Sequence, residues 1–309
     1  MAARRLRTIF FGSSDFSVPS LQRLLARHDV VAVVTQPEKP AGRGLVMRAT
    51  PVSQVARAAG IAVLTPSKLD AAVVRSLEDL QPALLACASY GKIVSRAILQ
   101  IPTLQAALNV HPSLLPRYRG ATPIQTALRD GCETTGVTIF WMVQALDAGD
   151  IAGSRLVPVA AADNFKTLHD KLANAGAELL LECVDLLVDG TLPRVPQNEN
   201  DATYTKPLSK EDQRLDIKQP AQAVVNQIRS LSPKPGAWLP FNEKRLKVLE
   251  ARVSDHVWER EAQPGALLSA GGRTLVKTEP GSIEATRVVP EGKSEMSGAQ
   301  FAQRLLEER

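Results

Sequence analysis

A chain of 309 residues, 44% hydrophobic and 22% charged, is longer than one ordinary domain and has the make-up of a soluble globular protein able to bury a core. Aromatic residues are only 4%, so aliphatic side chains must fill most of that core. A formal charge of +5 permits a polyanionic partner without demanding one, no apolar run is long enough to cross a membrane, and Cys87, Cys132 and Cys183 are too isolated for a metal site or a disulfide framework.

The opening Met1-Ala-Ala-Arg-Arg-Leu-Arg-Thr-Ile-Phe is basic and then apolar. Its apolar part is shorter than a secretory signal needs and runs into Gly12-Ser13-Ser14-Asp15, which reads as a first strand and its turn. A cytoplasmic protein with reduced cysteines is expected. Strand-like runs at 6–11, 30–35, 61–64, 83–88, 108–110 and 137–143 alternate with helical spacing at 18–27, 51–59, 70–80, 122–130 and 165–188. Continuous apolar strands between helices predict a Rossmann-like, doubly wound, mainly parallel sheet over residues 1–189. Chemistry is expected beyond its strand ends, just after Phe11, Ala88, Val110 and Val143. From 190 to 208 the pattern fails, and Pro193, Pro196 and Pro207 interrupt polar residues as in an extended, exposed linker. Residues 209–309 then read as one helix, 221–231, and short strands at 246–250, 265–268, 274–277 and 282–289, the spacing of a small OB-like β-barrel.

Three segments carry candidate chemistry. In the first, 108–120, Asn109 and His111 are two apart at a strand end and share one face, so an amide donor lies beside an imidazole. That pair suits a developing oxyanion; a histidine that only caps the strand end is the plainer alternative. The second, 144–150, places Asp147 and Asp150 on a Gly-containing turn after a strand. Asp147 could pair with His111 if the two strand ends adjoin, or both aspartates could simply form the turn. The third, 36–48, is too long for an ordinary connection and mixes glycines with Lys39, Arg43 and Arg48, as phosphate recognition would use or as a solvated surface loop could show. Gly12-Ser13-Ser14-Asp15-Phe16 lacks G-x-G-x-x-G, and there is no P-loop and no G-x-S-x-G elbow, which disfavours a nucleotide-phosphate site or a serine hydrolase.

Together these segments resemble the folate-dependent formyltransferases. Asn109-Val-His-Pro-Ser-Leu-Leu-Pro-Arg-Tyr-Arg-Gly120 is similar to their core signature, and Leu146-Asp-Ala-Gly-Asp150 to a second one. Thr35-Gln-Pro and Pro40-Ala-Gly-Arg-Gly44 resemble the loop inserted in the tRNA-specific members. Leu208-Ser-Lys-Glu-Asp-Gln-Arg214 and Ile228-Arg-Ser-Leu-Ser-Pro-Lys-Pro-Gly236 resemble their carboxy-terminal domain. Among the departures, Thr122 stands where the family usually has Ala, and Ala145 and Ala148 flank Asp147 in place of Gly and Thr. The resemblance implies formyl transfer from 10-formyltetrahydrofolate to the amino group of initiator methionyl-tRNA, by a monomer without a metal. It implies a catalytic triad of Asn109, His111 and Asp147. It implies folate contacts at Cys87, Ser89, Tyr90, Gly91, Ile93, Ser113, Leu114, Leu115 and Pro116, and tRNA contacts at Lys39, Arg43, Arg48, Lys206 and Lys210. A formyltransferase for a small amine, such as a nucleotide sugar or glycinamide ribonucleotide, would keep the triad but leave the Arg43 loop and the second domain without a reason.

Overall fold

The computed structural model describes residues 5–41, 46–259 and 261–307. Its residues group into two compact units, one of 1–120, 134–158 and 169–204, the other of 121–133, 159–168 and 205–309.

The first unit is built on a seven-stranded sheet in the order Ile151–Pro158, Thr134–Trp141, Ala106–His111, Leu84–Ala88, Arg7–Gly12, Asp29–Val34, Val63–Leu64. The last five of these strands are mutually parallel, whereas Thr134–Trp141 runs antiparallel to both of its neighbours. The mainly parallel doubly wound sheet expected from the alternating pattern is present. The chain winds outward from Arg7–Gly12 on one side and returns with Leu84–Ala88 on the other, so chain order reverses between these two strands. Loops leaving a sheet at such a point diverge and open a crevice. Here side chains stitch the two departing loops together. Ser17 Oγ donates to the Ala88 carbonyl at 2.5 Å, and Ser13 Oγ donates to the Tyr90 carbonyl at 3.1 Å.

One face of the sheet is filled by Ile9, Phe11, Leu85, Cys87 and Ala107, with Leu77, Tyr90, Val94 and Ile98 packed over them. On strand Ala106–His111 the opposite face carries Val110, which meets the long helix Phe165–Val188. A Cβ at Gly176 of that helix would lie 2.5 Å from Val110 Cγ1, so only glycine lets the helix seat this closely. With Val110 turned to the helix, alternation puts Asn109 and His111 on the other side. Two shorter helices start at side-chain caps: Thr50 accepts from the Ser53 amide, and Asp70 from the Ala72 and Val73 amides. Each such cap stabilises its helix by roughly 1 kcal/mol.

Strand Thr134–Trp141 departs from the expected 137–143. Met142 and Val143 have the apolar character of strand residues but already belong to the turn. Because this strand is antiparallel to Ala106–His111, with Leu108 opposite Trp141 and His111 opposite Thr138, its end lies away from His111. Residues 142–150 must therefore fold back to reach the imidazole.

The second unit holds a six-stranded antiparallel sheet in the order Ala237–Phe241, Lys244–Ser254, Ser282–Pro290, Arg273–Lys277, Leu267–Ala270, with Met296–Ser297 paired to Ser282–Pro290. Helix Ala221–Leu231 covers it, burying Val224, Ile228 and Leu231 against Leu239, Leu246, Val248 and Ile283. Two hairpins close through two-residue turns, Asn242-Glu243 and Gly271-Gly272, whose four residues all have positive φ. That is the turn whose twist matches paired strands, and Gly-Gly is built for it while Asn-Glu is not. No helix among the described residues is long and apolar enough to cross a membrane.

Candidate active site

The site grows from strand Ala106–His111. Asn109 lies opposite Phe140 on one side and Cys87 on the other, and His111 follows on the same face. Asn109 is half-buried, and His111 is buried with its ring steeply inclined to that of Phe140, the centroids 6.5 Å apart. His111 Nε2 lies 2.9 Å from the Tyr118 carbonyl oxygen. A carbonyl only accepts, so Nε2 carries a proton, and Nδ1 is the atom at which a further proton can be held or released. Nδ1 is 3.6 Å from Asp147 Oδ2. The imidazole and the carboxylate expected to meet are therefore side by side, at ion-pair range and just beyond a direct hydrogen bond.

Asp147 is held on several sides. Its Oδ2 accepts from the Gly120 amide at 2.8 Å, and its carbonyl accepts from Gln197 Nε2 at 2.8 Å. Its backbone is left-handed, with φ of 49°, which an aspartate tolerates better than most residues but which still needs support. Residues 113–120 form a strap anchored from both flanks. Thr138 Oγ1 donates to the Ser113 carbonyl at 2.7 Å, and the Tyr118 amide donates to Thr203 Oγ1 at 2.8 Å. Arg119, fully buried, donates from this strap to Gln197 and Glu199 and lies beside the Tyr204 hydroxyl at 3.0 Å. Glu199 holds the guanidinium above arginine's usual range against the opposing effect of burial, and Arg119 in turn holds the Glu199 carboxyl below its own.

The loop after Leu84–Ala88 carries Ser89 and Gly91, both at positive φ. Gln36 Nε2 donates to the Tyr90 carbonyl at 2.9 Å and would lie 2.6 Å from a Cβ at Gly91, so this glycine makes room for the anchoring amide. Tyr90 is buried against Phe11, and its hydroxyl has no hydrogen-bond partner among the described residues. Ile93 is 80% exposed, and Val143 and Leu146 are exposed too, so the 88–93 and 142–150 loops leave apolar side chains uncovered. Ser113 and Leu115 are buried, and the Ser113 hydroxyl is spent on the Arg117 carbonyl.

Cys87 lies deep on the same face. Burial pushes its thiol up to about 12, the Tyr90 backbone opposes this slightly and the Asp147 carboxylate adds to it. Cys183 is likewise pushed up to about 12 by burial. Neither is a thiolate at neutral pH, so neither is a nucleophile. In the native protein at pH 8, iodoacetamide should add at most one group, at the partly exposed Cys132, and all three cysteines should react after denaturation. Intact-mass measurement counts the adducts.

Among the expected tRNA contacts, Lys39 and Arg48 are exposed and lie opposite each other on a hairpin of Lys39–Ala41 and Val46–Arg48, with Lys39 Nζ on Gln36 Oε1 at 2.9 Å. Arg43 lies outside the described residues. Lys206 and Lys210 are exposed on the second unit, where Thr122 Oγ1 donates to the Lys206 carbonyl at 2.8 Å. No group of three or more His, Cys, Asp or Glu among the described residues could hold a metal.

A family model described as formyl transferase matches residues 6–184, and a second, described as formyl transferase, C-terminal domain, matches 207–306. The chain belongs to the formyl transferase family. It is 41% identical over 307 residues to the methionyl-tRNA formyltransferase of Moorella thermoacetica, covering 96% of each chain. It is 40% identical over 293 residues to the enzyme of the same name from Staphylococcus epidermidis, covering 94% of this chain and 93% of that one. Among solved structures, HypX from Aquifex aeolicus in complex with tetrahydrofolic acid is similar in fold, with a TM-score of 0.67 at 17% identity. That match covers 98% of this chain and 48% of HypX, so this formyl transferase spans about half of HypX's length.

Sequence reasoning found the pair that meets, His111 and Asp147, but not what holds it. Gln36 falls at the start of the 36–48 loop, Arg119 within the 108–120 segment, and Gln197 in the 190–208 linker. A lone amide in a polar, proline-broken stretch carries no periodic signal.

Proposed function

We propose that this formyl transferase moves a formyl group from 10-formyltetrahydrofolate to the free amine of initiator methionyl-tRNA. The observation that carries the substrate is coverage: relatives bearing that name share about two-fifths of their residues with this chain over nearly its whole length, second unit included. The folate fits the residues present. Exposed Ile93, Val143 and Leu146 offer apolar surface to a flat heterocycle, and the one charge of the 88–93 loop, Lys92, is turned to the Pro66 and Ser67 carbonyls. HypX, of the same fold, binds tetrahydrofolic acid. Ser89, Tyr90, Gly91 and Ile93 would flank that heterocycle, with Cys87 beneath and residues 113–116 opposite.

When bound, the folate supplies an electrophilic formyl carbon. Asn109 directs an amide N–H to the oxygen that gains charge as the amine adds, a contribution of about 2.7–4 kcal/mol for one such donor. His111, fixed through Nε2, would release a proton from Nδ1 to the carrier nitrogen as the carbon–nitrogen bond breaks, and the proton lost by the added amine, passed back to Nδ1 directly or through solvent, restores it. Asp147 orients the imidazole and supplies the neighbouring negative charge. Lys39, Arg43 and Arg48 from one segment, and Lys206 and Lys210 from the second unit, would meet phosphates of the acceptor arm. Like charges opposite each other, as Lys39 and Arg48 are, are unfavourable until an anion joins them.

The test is transfer of labelled formyl from 10-formyltetrahydrofolate to charged initiator tRNA, against glycinamide ribonucleotide and an amino-sugar nucleotide. The tRNA should be formylated far faster, with kcat/KM falling steeply as salt rises. Preference for a small amine would replace this reading with the small-acceptor one.

A further inference from the structure

Resting on the formyl-transfer reading, we propose that Gln197, oriented by buried Arg119, is a positioning residue that sets the catalytic turn of Asp147. Arginine has donors only, so the atom of Gln197 that faces it must be the carbonyl oxygen. Arg119 Nη2 and Nε donate to Gln197 Oε1 at 2.8 and 3.1 Å. The amide is thereby locked with Nε2 pointing the other way. Both of its protons find acceptors on one turn, the Asp147 carbonyl at 2.8 Å and the Gly149 carbonyl at 2.7 Å.

The same strap closes the circle. Gly120 follows Arg119 directly, and its amide grips Asp147 Oδ2 at 2.8 Å. Asp147 is thus held by its side chain through Gly120 and by its backbone through Gln197, and both holds trace to the Arg119–Gly120 dipeptide. The arrangement addresses a specific need. Asp147 sits at φ of 49°, a conformation that persists only where its surroundings enforce it. Its carboxylate stands 3.6 Å from His111 Nδ1, so a small rotation of the turn would move it out of ion-pair range. Glu199, bonded to Arg119 Nη1 and Nη2, completes the charge balance around the buried guanidinium.

Two full-length variants test this. Gln197→Glu keeps an acceptor for Arg119 but removes both donors and sets a negative charge against the two carbonyls. Gln197→Met keeps the length and removes both groups without adding charge. Each should lower kcat at least about 10-fold while KM for methionyl-tRNA stays within about 2-fold, since the turn is displaced but no residue that would meet the tRNA is touched. In an Asp147→Asn background, either change should cost less than about 2-fold more, because a residue acting through Asp147 has nothing left to position. Hydrogen exchange at the Gly120 amide should accelerate in both variants. Unchanged kcat, a loss that multiplies fully with that of Asp147→Asn, or unaltered Gly120 exchange overturns the proposal. Wild-type protein inert toward every amine would sink the formyl-transfer reading instead, and Gly120 exchange would still decide whether Gln197 holds the turn.

Discussion

Replacing His111 with alanine should lower kcat by about 10²–10⁴-fold, the range that a positioned proton donor or acceptor contributes. The geometry says why the loss should fall on kcat. His111 is buried, its Nε2 is committed to the Tyr118 carbonyl and its Nδ1 lies beside Asp147, so on the proposed mechanism only Nδ1 is left to pass a proton. On that mechanism, removing the ring takes away a group whose work comes when the bond breaks, and it leaves the exposed apolar loops that would hold the folate as they were. Asp147→Asn should give a loss of similar kind. An asparagine oxygen can still accept from the Gly120 amide, so the turn survives while the charge beside Nδ1 disappears. The double variant should be little worse than the poorer single one, because groups acting as a unit do not contribute independently. The alanine variant should also lose roughly 1–3 kcal/mol of stability, since the buried Tyr118 carbonyl is left without its imidazole donor. Steady-state kinetics alongside thermal unfolding separates the two effects. Full activity in His111→Ala would remove the imidazole from the mechanism.

How much of this could be read from residues alone depended on the reach of the signal. Asn109 and His111 share a face because strands alternate, and Val18–Arg27, Phe165–Val188 and Ala221–Leu231 were legible because helices repeat. Elements that break those rhythms escaped. Ile151–Pro158 contains Gly153, Ser154 and Arg155 and exposes Leu156, as an edge strand can. Ala237–Phe241 contains Pro240, tolerable only at an edge, and its turn of Asn242 and Glu243 lacks the glycine that announces a hairpin. Helix Gly298–Glu307 carries a start signal in its sequence. Ser297 and Gln300 form a capping box, each accepting from the other's backbone amide. The direction of Thr134–Trp141 is a fact of pairing, invisible to hydropathy, and it decides that the Asp147 turn must double back. The Arg119–Gln197–Asp147 chain is less legible still. It joins positions 119, 147 and 197 through hydrogen bonds whose partners no local pattern specifies.

The doubling back makes Gly149 the second sensitive point. A Cβ placed on it would lie 1.7 Å from the Trp141 carbonyl oxygen and 2.9 Å from its carbon, with Phe140 Cδ2 at 3.3 Å. No rotamer change relieves a clash with backbone, so either strand Thr134–Trp141 or the turn must move. The strand is fixed on both sides by its neighbours, and the Trp141 amide is bonded to the Asp150 carbonyl at 2.9 Å. The turn will yield. Gly149→Ala should therefore destabilise by about 3 kcal/mol, at the upper end of ordinary overpacking, and lower Tm by roughly 6–12 °C for a unit of this size. Activity should fall further than stability implies. The carbonyl of Gly149 is one of the two that Gln197 holds, and Asp147 is two residues away, so relief of the clash displaces the carboxylate from His111. A shift near 1 Å in such a group can cost about 10²-fold in rate. Calorimetry and kcat at a temperature where the variant is fully folded measure the two losses separately. A variant with unchanged Tm and full kcat would mean that the turn does not press on the strand as described, and the close seating of Asp147 beside His111 would lose its support.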